Sequence, residues 1–219
     1  MAQRLITEGN DAIALAVLCK KRNLPPPFGY ETPSKFRDEF IQNAGGYSQA
    51  IVAFKIAIEG NNYTNIGLVL DANDAGATAR WNEVRKIMLG AGYREESFVT
   101  ADIQTGPKII LEVSMPTVGI WIMPDNNENG YLEHFIAGLI PPKDPLWLHA
   151  EKVLSDLKPQ PFNEIPRTRW GKAHLHTWLA WKKEPGKPFG QALDANYFDI
   201  QAPPVQSFLN WFSETFQLS

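Results

Sequence analysis

The sequence predicts an α/β protein, a mostly parallel sheet with helices on both faces, and three observations carry that prediction. Strand-type runs alternate with segments of helical spacing through the first 140 residues, the order expected of crossover units. One strand segment, Leu68-Val69-Leu70, is apolar without alternation, as in a strand buried on both faces. It stops abruptly in Asp71-Ala72-Asn73-Asp74-Ala75-Gly76, a cluster of oxygen ligands at the carboxyl end of a strand, where ligands gather in open α/β sheets.

The elements follow in order. Gln3 to Thr7 reads as a short first strand. Glu8-Gly9 is a tight turn, and Asn10 or Asp11 caps a helix carrying Ile13, Val17, Leu18 and Leu24. Pro25-Pro26-Pro27 stops that helix, because each ring removes a donor and disfavours helix in the residue before it. A short strand fits Phe28 to Lys35. Tyr47, Ile51, Phe54 and Ile58 recur at intervals of three and four, giving an amphipathic helix that ends at Gly60. The strand Asn65 to Leu70 comes next, then a helix from Thr78 to Leu89 with Trp81, Val84, Ile87 and Met88 inward. Ile109, Leu111 and Val113 alternate, as do Val118, Ile120 and Ile122, which suggests a hairpin or two neighbouring strands. Helices are expected around Leu132 to Leu139 and Leu146 to Leu157, and a last one after Pro203-Pro204 with Val205, Phe208, Leu209 and Phe212 on one face. The chain therefore divides into an α/β domain over 1–140 and a helical, partly basic C-terminal extension over 141–219 packed on it.

Composition narrows the class. At 219 residues, with 44% hydrophobic and 21% charged residues, the chain has enough apolar material for a core and is far from a disordered composition. No apolar run reaches the roughly 18 to 20 residues of a membrane span, and Met1 leads directly into a strand-like segment without a signal-type core, so a cytoplasmic protein is expected. A single cysteine, Cys19, excludes an internal disulfide and a Cys-rich zinc site. The net charge of -3 does not mark a nucleic-acid binder, so any such role rests on local clusters. Glycine patterns lack the Lys and Ser/Thr of a phosphate loop, which argues against an intrinsic ATPase.

Three segments end a strand in acids: Glu8; Asp71 with Asn73 and Asp74; and Asp125 with Glu128, and Glu133 nearby. In a parallel sheet these ends share one edge, and converging carboxylates repel unless a cation lies between them. Hard oxygen donors without cysteine favour Mg2+ or Mn2+ over zinc. The bland alternative is that the acids are helix caps and turn residues.

Glu8-Gly9 after the first strand, and Asp71-x-Asn73 followed by Gly76 after a later one, resemble the toprim domain of topoisomerases, primases and overcoming-lysogenization-defect nucleases, over roughly residues 3 to 125. Met123-Pro124-Asp125 with Gly130 and Glu133, and Lys172-Ala173 with Trp178-Leu179-Ala180 and Gly190, are similar to small, poorly characterised bacterial toprim-like proteins over most of the chain. The resemblance implies Mg2+-dependent phosphoryl transfer on nucleic acid. Glu8 matches the family glutamate, an acid/base or metal ligand, and Asp71 the first acid of its Asp-x-Asp pair. The second acid is Asn73 here, which coordinates through an amide oxygen but brings no charge; Asp74 stands one residue later.

Residues 167 to 187 hold Arg167, Arg169, Lys172, Lys182, Lys183 and Lys187 against Glu184 alone, interleaved with Trp170, Trp178 and Trp181. Such a segment can follow a phosphate backbone, with Lys172 stabilising charge at the scissile phosphate, or it is a solvated face over core tryptophans. Arg80, on the helix after the acidic turn, is a further phosphate candidate. His174-x-His176 does not suggest zinc, since i and i+2 point apart on a helix. The functional expectation is an Mg2+- or Mn2+-dependent nuclease or related phosphotransfer enzyme with Glu8, Asp71, Asn73, Asp74, Asp125 and Glu133 as ligand candidates. The alternative is a catalytically degenerate module that binds nucleic acid or a partner ATPase.

Overall fold

The computed structural model describes residues 2–9, 11–24, 40–60, 62–98 and 108–218. The apolar run that leads to Asp71 is the central strand, β3 (Tyr63–Asp71), in which Ile66, Leu68, Val69 and Leu70 are all at 0% exposure. Backbone groups buried this deeply need partners on both edges and cover on both faces. β1 (Ala2–Thr7) and β5 (Thr117–Met123) flank β3 in parallel. β2 (Ile41–Asn43) lies parallel outside β1, and β4 (Lys108–Ile110) runs antiparallel outside β5, giving the order β2-β1-β3-β5-β4.

Side chains alternate between two cores. Ile66, Leu68 and Leu70 of β3 and Val118, Ile120 and Ile122 of β5 join one cluster with Phe54 and Ile58 of α2 (Tyr47–Glu59) and Trp81, Val84 and Met88 of α3 (Ala77–Gly90). Val69, Trp121 and Met123 join the other, with α1 (Asp11–Lys21) and the last helix, α8 (Pro203–Phe216). Between β5 and α8 the chain forms α4 (Leu132–Ala137), α5 (Pro145–Leu157), α6 (Trp170–Ala180) and α7 (Phe189–Asp194), which enlarge this second core.

Gly67 and Gly119 stand side by side in the β3–β5 register and open a trough for α8. A Cβ on Gly119 would lie 2.0 Å from Thr215 Oγ1, and one on Gly67 would lie 2.8 Å from both the Phe216 ring and Leu5 Cδ1, so a side chain at either position would displace these neighbours. The sheet also partners the helix end. Asn65 Nδ2 donates to the Thr215 carbonyl at 2.9 Å, and Gln3 Nε2 to the Phe216 carbonyl at 3.2 Å, satisfying acceptors that a helix C-terminus leaves open.

The α/β class, the mostly parallel sheet and the helices on both faces match the sequence expectation, with local differences. Helices α5 to α8 all contribute buried side chains to the core that Val69, Trp121 and Met123 enter, and α8 covers the sheet. The β2 edge strand carries only one buried residue, Ile41, too little for a periodic signal. Leu111 and Val113 continue an alternating pattern yet are 66% and 79% exposed beyond the end of β4, because the pattern there is not matched by pairing. The strand expected within Phe28 to Lys35 lies outside the described residues. Among the described residues no helix is long and apolar enough to cross a membrane.

Candidate active site

Just past β1, Glu8 is held between β3 and the start of α2: the Glu8 N–H donates to the Val69 carbonyl at 3.2 Å, and the Glu8 carbonyl accepts from the Gly46 N–H at 2.7 Å. The side chain thereby reaches the end of β3, where Oε2 accepts the Asp71 N–H at 3.0 Å. Asp71 is the last residue of β3, and its Oδ1 accepts the N–H of Leu132, the first residue of α4, at 3.1 Å. So the two acids expected to share an edge are joined through the backbone, and part of Asp71's work is the helix-terminal role of the bland reading.

The loop after Asp71 is held by its neighbour. Ala72 donates to Met123 at 3.2 Å and Asn73 to Gly130 at 2.7 Å, so the turn is fastened to the loop that follows β5. Asn73 takes a φ of 50°, a conformation asparagine tolerates. Gly76, at φ 86°, passes close to Asn129, where a Cβ would lie 2.9 Å from Oδ1.

Asp71, Asn73 and Asp74 line a cleft of about 970 Å³. Further lining comes from α4 and from the segment that leads into α6. Glu133 of α4 pairs with Lys172 of α6 at 2.8 Å, with Glu133 the more buried partner, and both line the cleft with Arg169. Tyr131 donates to the Thr168 carbonyl at 2.9 Å and ties the start of α4 to the turn that presents Arg169; burial raises the Tyr131 pKa. His176, one turn beyond Lys172, also faces the cleft. Burial and the Lys172 ammonium lower its pKa, which favours the neutral ring.

Several expected site residues stand elsewhere. Gly9, rather than Glu8, reaches the lining, and Glu8 stands behind Asp71. Asp125 is turned into its own loop, where Oδ1 accepts the N–H groups of Asn127 and Glu128 at 3.0 and 2.8 Å, and it does not line the cleft. The Arg80 guanidinium lies 3.7 Å from the Tyr47 ring centre and 4.0 Å from Glu83, which makes it a packing residue between α2 and α3. Lys182 sits 3.8 Å over the Trp178 ring and 3.9 Å from Asp144, while Arg167 is exposed outside the cleft. His174 stacks on Trp147 at 3.5 Å, pointing away from His176 as the helical spacing requires. Tyr131, Thr168, His176 and Phe189 are cleft residues that the sequence reading did not single out as site residues. His176 was the accessible one, four residues after Lys172 on one helix face.

Among the described residues no three His, Cys, Asp or Glu side chains gather closely enough to hold a metal ion by themselves. Mg2+ does not require such a cage, since it keeps several waters and uses one or two carboxylates with substrate phosphate oxygens. Asp71, Asn73 and Asp74 offer hard oxygen donors in a cleft that Arg169 and Lys172 also line, a donor set that fits Mg2+ or Mn2+ bound with an anionic substrate.

A model for a protein family of unknown function, DUF3226, matches residues 2–217. No curated protein and no solved structure matches the chain.

Proposed function

The chain belongs to the DUF3226 family, and for it we propose a metal-dependent phosphodiester hydrolase of toprim-like type acting on nucleic acid. The observation that carries this reading is that the Asp71-Asn73-Asp74 turn and the cations Arg169 and Lys172 line one cleft. The two groups suit complementary tasks, since oxygen donors hold a divalent cation and cations receive phosphate charge.

Asp71 is the principal ligand in this reading, assisted by Asn73 or Asp74, and a bound Mg2+ or Mn2+ supplies Lewis-acid activation of the phosphate. Glu8, outside the cleft lining, acts through Asp71, whose backbone N–H its carboxylate holds. Lys172, oriented by Glu133, and Arg169 stabilise negative charge on the phosphate. Glu133 thus acts on the cation rather than on the metal.

Labelled DNA and RNA incubated with Mg2+ or Mn2+ test this, beside Glu8→Gln and Asp71→Ala. Metal-dependent cleavage by the parent and its loss in both variants supports the reading; equal products from all three proteins overturns it.

A second reading follows from Asn73, which removes one negative charge from the turn, and from Asp71 Oδ1 accepting the Leu132 N–H. On that basis the protein is a non-catalytic module that binds nucleic acid or a partner ATPase. It predicts nucleic-acid binding without metal uptake and without cleavage.

A further inference from the structure

The cleft has a second half to which the metal and phosphate assign no role. His176 on α6 and Phe189 at the start of α7 have ring centres 5.5 Å apart with planes inclined at 36°, and both rings line the cleft. Ile13 of α1 completes this wall; it is 44% exposed on a helix whose neighbouring apolar residues are buried. Gly190 sets the wall's shape, because α7 approaches α1 so closely that a Cβ there would lie 2.7 Å from Ile13 Cγ2. The same cleft therefore carries Arg169 and Lys172 and, next to Lys187, an aromatic, apolar wall of His176, Phe189 and Ile13; Lys187 is paired with Glu184 at 2.9 Å. Lys172 and His176 are one helical turn apart on α6, about 6 Å along it, which places the cation and the ring on one surface.

We propose that this cleft takes an unpaired nucleotide of a single strand, with its phosphate at Lys172 and Arg169 and its base against His176, Phe189 and Ile13. The proposal rests on the phosphodiester reading above and names its substrate class. A base has an accessible face only when it is outside a duplex stack, and aromatic side chains then hold it with little regard to sequence. The volume of about 970 Å³ falls within the range of pockets that enclose small molecules. Burial and the Lys172 ammonium shift the imidazole toward its neutral form, in which it presents a ring face to a base.

Fluorescence anisotropy with a labelled oligothymidylate, an abasic strand of equal length and a duplex tests the assignment, with Ca2+ in one series and EDTA in another. The parent protein should bind the oligothymidylate more tightly than either other probe. His176→Ala should weaken that binding roughly 5- to 150-fold, leave abasic-strand binding unchanged, and be rescued by His176→Phe. Phe189→Leu, which keeps an apolar residue at the start of α7, should give a similar loss. Equal binding of the three probes by the parent, no binding in either series, or His176→Ala and Phe189→Leu both binding the oligothymidylate like the parent would overturn the proposal. Cleavage is read separately, so base-dependent binding without cleavage rejects the hydrolase and retains the nucleotide cleft, whereas cleavage with base-independent binding does the reverse.

Discussion

The loop after β3, Asp71-Ala72-Asn73-Asp74, and the loop after β5, Pro124-Asp125-Asn126-Asn127-Glu128, leave neighbouring parallel strands with nearly the same vocabulary. Each joins acids to an asparagine at positive φ, 50° at Asn73 and 70° at Asn126. In the β5 loop the side chains close on the loop itself: Asn126 Oδ1 accepts the Ile122 N–H at 2.7 Å, and Asp125 Oδ1 accepts two N–H groups further on. In the β3 loop the backbone is satisfied by the neighbouring strand and loop, through Met123 and Gly130, and Asp71, Asn73 and Asp74 line the cleft. The difference teaches that a strand-end acid joins a site when another segment takes over the loop's backbone hydrogen bonds. One loop is scaffold, and the other stands on it.

Removing charge from the acids at the ends of β1 and β3 while keeping their hydrogen bonds should have the largest effect. Glu8→Gln and Asp71→Asn both retain an acceptor for the Asp71 and Leu132 N–H groups, so thermal melting should stay near the parent's while metal-dependent cleavage falls roughly 100-fold or more. Next comes Asn126→Ala, which strands the buried Ile122 N–H and should cost about 2 kcal/mol in urea denaturation without changing cleavage per folded molecule. Asp125→Ala removes an exposed turn acceptor and should cost about 1 kcal/mol or less, again with cleavage unchanged. The smallest expected change is at Asn73→Asp. Aspartate also tolerates the left-handed conformation, so stability should hold while Mn2+ affinity rises a few-fold, measured by calorimetry. Loss of cleavage in Asp125→Ala without unfolding would erase the distinction between the loops.

How much of this was legible in the sequence depends on where each signal came from. β3 could be read because burial on both faces leaves an unbroken apolar run, and α8 because its face repeats with helical spacing. The place of α8 in the sheet could not, since it depends on Gly67 and Gly119 meeting in register from strands far apart in sequence. The acids at the ends of β1 and β3 were legible as neighbours; the turning of Asp125 into its own loop was not, because local composition fits both outcomes. Arg80 reads as a cation beside an acidic turn, and only the packing of α2 on α3 reveals Tyr47 beneath it. His176 and Phe189 come together through the packing of α6 and α7, which no single-segment pattern encodes.

Calorimetric titration of Mn2+ into the parent, Asp71→Asn and Asp125→Asn, with single-strand oligonucleotide present, tests the central claim most directly. The account predicts saturable uptake by the parent and by Asp125→Asn and none by Asp71→Asn. Uptake by none of the three, or uptake lost in Asp125→Asn and kept in Asp71→Asn, would contradict it.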